Sequence, residues 1–252
     1  MKLACNYYPE TEALVREGRI DIDYFKFPAL GFQMDILNDR RSFAKFSKQV
    51  TAVKPILLHG VYPGMKRLLR QTKSPGISLH PELVKPSRPE HTYDLHAIIE
   101  KIKRLQKRYR RLDFISIENE PNANPEHLAD IVREVGCKFL LDISHAYVSA
   151  RHYGEDLWAY LARLPLDHVY EIHINGWVEK DGDIMCHVKI NEEGYEILEE
   201  LLQRCQPKII TIEYGRHNDR IGCGCPVIRP DDMNRQAMEE ITEQVGRIRK
   251  II

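Results

Sequence analysis

Eight residues of this chain pair ligand-type side chains with a regular placement. Six of them close successive apolar runs. His59 lies at the end of PILLHG, His80 of GISLH and Glu118 of DFISIEN, then Asp142 of KFLLDI, His173 of HVYEIHI and Glu213 of KIITIEYG. His145 follows Asp142 by three residues in LLDISHAY, and His187 falls in the loop expected after the seventh run. Imidazole nitrogens and carboxylate oxygens suit zinc, iron or manganese, and a carboxylate can bridge two ions. Eight donors exceed what one tetrahedral ion needs and suit a cluster of two or three divalent ions. The competing reading of any one of these residues is a hydrogen-bonded side chain in the loop layer. Burying several such groups together without a cation would leave charges unpaired at high cost.

Something must bring these ends together. Two further apolar runs, KLACN (2–6) and IDYFKF (22–27), raise the number to eight. Between the runs lie stretches of helical period, including Tyr93–Arg110, Pro125–Val135, Glu155–Leu164 and Glu192–Cys205. The chain closes on Asp231–Ile252, where Met233, Ala237, Ile241, Val245 and Ile248 form an apolar stripe and Asp231 supplies an N-cap. Eight strand–helix units predict an α/β fold, a (β/α)8 TIM barrel occupying residues 1–252 as one domain. In such a barrel all strand C-termini meet at one mouth, where active sites form. A Rossmann-like sheet is the fold alternative, but its ligand-binding loops are not evident.

Composition narrows the function classes. Lys and Arg number 37 against 37 Asp and Glu, so no basic excess points to nucleic acid as the partner. The basic run Lys101–Arg111 reads as a solvated helix face, with Ile98, Ile102, Leu105 and Tyr109 turned inward. No apolar run is long enough for a membrane span and no signal peptide is visible, so a cytoplasmic protein with reduced thiols is expected. Cys223 and Cys225, in GCGCP, read as loop thiols, with a metal or redox pair as the alternative. No G-x-S-x-G, Walker or dinucleotide motif occurs, which argues against serine hydrolases, P-loop NTPases and nicotinamide enzymes.

The ligand order His59, His80, Glu118-Asn119, Asp142-x-x-His145, His173, His187 and Glu213 resembles the xylose-isomerase-like barrel superfamily. Two branches share it: the endonuclease IV type of AP endonuclease, and the multinuclear non-haem iron-dependent oxidative enzymes. The stretches LLHGV, SIENE, LLDISHAYVSA, EIHINGW and HVKINEEGYEILEELL are most similar to the iron branch. That resemblance implies an oxidoreductase acting on a thiol-containing peptide or small molecule, with a partner protein that presents the peptide. It also implies Asn119 and Asn175 as hydrogen-bond donors behind the ligands, and iron in preference to zinc or manganese. The endonuclease branch would imply a zinc phosphodiesterase. A sugar isomerase or epimerase is a third reading, with Lys26 as its extra acid or base, and a non-catalytic metal-binding scaffold a fourth. Both branches place an aspartate two residues before the histidine at 187, whereas this chain has Met185, with Asp183 the nearest carboxylate. A thioether is a poor ligand for zinc or oxidised iron, so a dinuclear centre is the expectation.

Overall fold

The computed structural model describes residues 1–29, 33–81, 94–180, 182–215 and 234–252. Along the chain come β1 (Lys2–Asn6), α1 (Pro9–Arg16), β2 (Tyr24–Phe27), α2 (Gln33–Asn38), α3 (Arg40–Val50), β3 (Ile56–His59), α4 (Met65–Thr72) and β4 (Gly76–Leu79). There follow α5 (Leu95–Arg108), β5 (Phe114–Glu118), α6 (Pro125–Val135), β6 (Lys138–Asp142), α7 (Ile143–Tyr153), α8 (Leu157–Arg163) and β7 (Val169–Ile174). The remainder is β8 (Gly176–Lys180), β9 (Asp183–Val188), α9 (Glu192–Arg204), β10 (Ile209–Ile212) and α10 (Arg235–Ile251). Eight strands close in the order β1-β10-β7-β6-β5-β4-β3-β2, and every neighbouring pair is parallel. This is a (β/α)8 barrel.

Local chemistry sets the helix ends. Pro125 starts α6 behind the Asn124 cap, whose side chain accepts from the His127 N–H, and Gly136 ends the helix in the left-handed region. The last helix starts later than its pattern suggested. Asn234 caps α10 by accepting from the Ala237 N–H, while Asp231 and Met233 lie outside the described residues. The remaining stripe residues, Ala237, Ile241, Val245 and Ile248, are buried as expected. The helices pack through one large apolar cluster against the outward face of the strands. Among the described residues, no helix is long and apolar enough to cross a membrane.

The segment after β7 is not a plain loop. β8 and β9 pair antiparallel as a separate hairpin, and His187 lies on its second strand. The Trp177 ring stacks on Tyr147 of α7, with centroids 4.6 Å apart. Gly176 lets the hairpin cross the chain leaving it, because a Cβ there would come within 1.9 Å of the Lys189 carbonyl oxygen. That obstacle is backbone and cannot swing aside. Gly176→Ala is therefore expected to cost roughly 1–3 kcal/mol through overpacking, seen as a lowered Tm by circular dichroism. An unchanged Tm would show that the hairpin tolerates a side chain at this crossing.

Candidate metal centre

All eight sequence-selected residues meet at the C-terminal mouth. Their donor atoms form four overlapping groups: His59, His80 and Glu118; His59, His173 and Glu213; Glu118, Asp142, His173 and Glu213; and Asp142, His145 and His187. Within each group one donor atom per residue lies within 4.8 Å of the others. Donors about 2.0–2.2 Å from one ion stand roughly 3–4.4 Å apart, so these groups need only small adjustments to close on metal.

Glu118 is the hub. Its Oε2 lies 3.0 Å from His59 Nε2 and 3.6 Å from His80 Nε2. Its Oε1 lies 3.3 Å from His173 Nδ1 and 3.6 Å from His145 Nδ1. The residue is wholly buried, yet neither oxygen has a hydrogen-bond partner, and neither does His59 Nε2. Proximity without hydrogen-bond alignment means that these lone pairs converge on shared space rather than on each other's protons. A divalent cation satisfies that arrangement, and the donor set fits one.

The opposite half is organised by hydrogen bonds. Asp142 ends β6 and caps α7, its Oδ1 accepting from the His145 N–H and the Ser144 hydroxyl, both at 2.8 Å. That cap sets His145 in the first turn of α7, where its ring Nδ1 lies 2.9 Å from the Asn119 carbonyl oxygen. Placing the proton on Nδ1 leaves Nε2 as the free donor. The Asn119 side chain pairs twice with the Asp142 backbone, as a neighbouring strand would. Asn175 donates to Asp142 Oδ2 at 3.1 Å and accepts from the His187 N–H at 2.9 Å. His187 itself adopts a φ of 64°, a costly conformation for a non-glycine residue. Its carbonyl accepts from the Gly215 N–H, and a Cβ on Gly215 would approach that oxygen to 2.9 Å. Both flanking contacts thus hold His187 toward Glu213, 3.5 Å from its Nε2.

The electrostatics follow from crowding three carboxylates and five imidazoles. Burial pushes His59 down to about 4, against the pull of Glu118. Burial also opposes protonation of His80, but Glu118 and Glu120 outweigh it and lift His80 to about 9. His173 is lifted well above its usual value because Glu213 and Glu118 overcome burial in the same way. Burial would raise Glu118 and Glu213, but the surrounding imidazoles hold both well below the carboxylate range. Burial raises Asp142, reinforced by Glu213 and Glu118 against His145.

Two participants escaped the sequence reading. Glu120 Oε1 lies 3.3 Å from His80 Nδ1, on the far side of that ring from Glu118. Glu171 Oε1 lies 3.1 Å from His173 Nε2. Each stands two residues from a selected ligand or strand-end residue, and the period of a strand puts Glu171 on the same face as His173. Lys26 is corrected in the opposite sense. It lies beneath the mouth, fully buried and paired with Glu171 at 2.7 Å, and so is not poised as an acid or base for a sugar. Met185 is buried and Asp183 exposed, so among the described residues no carboxylate replaces the missing ligand before His187. The described cysteines Cys5, Cys137 and Cys205 form no disulfide, whereas Cys223 and Cys225 lie outside the described residues.

Fold and site together define a (β/α)8 barrel with a buried carboxylate–imidazole centre at its mouth. The chain belongs to the family of RiPP precursor modification enzymes MbnB/TglH/ChrH, whose model matches residues 87–220, just over half of it. It is 36% identical over 99 residues to a UPF0276 protein of Chromobacterium violaceum, covering 38% of this chain and 36% of that one. A UPF0276 protein of Acaryochloris marina is 32% identical over 136 residues, covering 48% of this chain and 47% of the relative. The matches thus span about a third to a half of the length of these curated relatives. Among solved structures, the zinc-bound IOLI protein superposes with a TM-score of 0.61 at 12% identity, covering 100% of this chain and 97% of that one. A xylose isomerase domain protein from Planctomyces limnophilus gives 0.60 at 12% identity, covering 99% and 95%. At that identity the likeness concerns the fold alone.

Raised imidazoles carry protons at neutral pH when no metal is bound, and a metal must expel them. Those protons are held below the raised values, so metal affinity should fall as the pH drops from about 9 toward 6. Calorimetric titration with a divalent ion at pH 7, in buffers of different ionisation enthalpy, should register release of about two to three protons per chain, from the raised His80, His173 and His187. A heat independent of buffer would contradict this charge distribution.

Proposed function

We propose that this chain is a multinuclear, iron-dependent oxidative enzyme that modifies a thiol-bearing residue of a precursor peptide. The observation that carries the reading is Glu118, whose two buried, unbonded oxygens face different sets of imidazoles. His59, His80 and Glu118 Oε2 would hold one ion. Glu118 Oε1, Asp142, His173 and Glu213 would hold a second, with His145 and His187 completing the shell from the α7 side. All of these donors are nitrogen or oxygen, a set suited to non-haem iron. Family membership favours iron and a peptide substrate, and the absence of an aspartate before His187 favours two ions over three.

When bound, the ions would supply a position for the substrate sulfur and the redox equivalents with which dioxygen oxidises it. The protein's own part is to fix geometry. Asn175 and the Asp142 cap prevent the Asp142 carboxylate from rotating away. Asn119 and Glu120 restrain His145 and His80 from behind. Apolar packing closes the barrel below and leaves the strand-end face as the approach for substrate. A partner protein that presents the peptide belongs to the same proposal.

Anaerobic purification followed by elemental analysis tests it, alongside a His173→Ala, Glu213→Ala variant. The parent should carry about two irons per chain, most of them lost in the variant. It should also consume dioxygen with a cysteine-containing precursor peptide. Stoichiometric zinc without oxygen consumption would overturn the oxidative reading, and no metal even after reconstitution would overturn the metal centre.

A further inference from the structure

Beneath the mouth the barrel interior is layered in an unusual way. Ala4, Leu57, Phe114 and Ile209 form an apolar floor. Between floor and mouth, where bulky branched residues commonly fill such barrels, sit Lys26, Ser78, Ser116, Glu171 and Thr211, all with no exposure. A buried ion pair is weak evidence for stability, because well-packed apolar residues often serve as well. The layer therefore calls for another reason.

Its bonds converge upward. Lys26 Nζ donates to Glu171 Oε1 at 2.7 Å and to Ser78 Oγ at 2.8 Å. The Thr211 hydroxyl donates to the same Glu171 oxygen at 2.6 Å. That oxygen lies 3.1 Å from His173 Nε2, while His173 Nδ1 faces Glu213 at 3.0 Å and Glu118 at 3.3 Å. We propose that Glu171, pinned by Lys26 and Thr211, is a positioning residue that holds the His173 proton on Nε2 and so directs the Nδ1 lone pair at the metal. The inference rests on the metal-centre reading above. With the proton on Nδ1, the ring would donate to the carboxylates and close the position to an ion. Anchored from below, the ring also cannot turn. Removing such partners behind a ligand typically costs 10–100-fold in metal affinity.

Two double variants separate positioning from filling. Lys26→Met with Glu171→Leu removes both charges and the acceptor. Lys26→Met with Glu171→Gln removes the charges but keeps an oxygen for the Nε2 proton. Zn2+ affinity is measured by competition with a chromophoric chelator, and 15N NMR of the zinc form reports which His173 nitrogen carries the proton. The Leu variant should fold, melt without metal at or above the parent's Tm, and bind Zn2+ about 10–100-fold more weakly. The Gln variant should recover most of that affinity and keep the proton on Nε2. Parent-like affinity in both variants would overturn the positioning role while leaving the metal centre intact. So would a metal-free Leu variant that melts far below the parent, since the layer's role would then be folding. A parent that takes up no Zn2+ would overturn both.

Discussion

The organising constraint of this structure is the burial of carboxylates. Glu118 and Asp142 are fully buried at the mouth, Glu213 is nearly so, and Glu171 lies directly beneath them. Charges removed from water demand partners. Below the mouth the partner is Lys26, which answers Glu171 from across the barrel. At the mouth no lysine or arginine contacts the three carboxylates among the described residues, and five imidazoles stand around them. Without metal, His80 and His173 compensate by holding protons. Cations would do so more completely, since they also satisfy the unbonded oxygens of Glu118.

The fold delivers this arrangement because parallel strands end together. Six of the eight barrel strands end within one residue of a ligand-type side chain, and closure of the barrel gathers these at one mouth. Finer placement comes from the connections. Asp142 serves at once as strand end, helix cap and candidate ligand, so the register of β6 fixes the start of α7 and with it His145. The β8–β9 hairpin brings His187 back over the mouth, and Asn175 ties it to Asp142. Strain at His187 is offset by the glycine that receives it, Gly215.

Much of this was legible in the residue order. All eight strands follow from short β-branched runs, and α6 was bounded correctly because Asn124, Pro125 and Gly136 are explicit stop and start signals. Six of the eight members of the ligand set were legible because each ends an otherwise apolar run, and His145 and His187 because they follow such ends. Glu171 was not, since attention to strand ends passes over the polar residue two positions earlier, although YEIHI puts both side chains on one face. Lys26 was read as an acid or base because it stands near the end of the second run, and only closure of the barrel showed Glu171 opposite it. The hairpin did leave a trace, the Asp181-Gly182 pair within an alternating stretch, a strong hairpin signal. The start of α10 was misplaced because Asp231 and Asn234 offer similar caps, and sequence alone does not rank them.

The central claim is that Glu118 bridges two metal positions. The most direct test is anomalous diffraction at the iron edge from crystals grown anaerobically with Fe(II). The account predicts two peaks about 3.5–4 Å apart on either side of Glu118, one beside His59 and His80 and the other beside Asp142 and His173. A single peak not contacting Glu118, or none at the mouth, would contradict it.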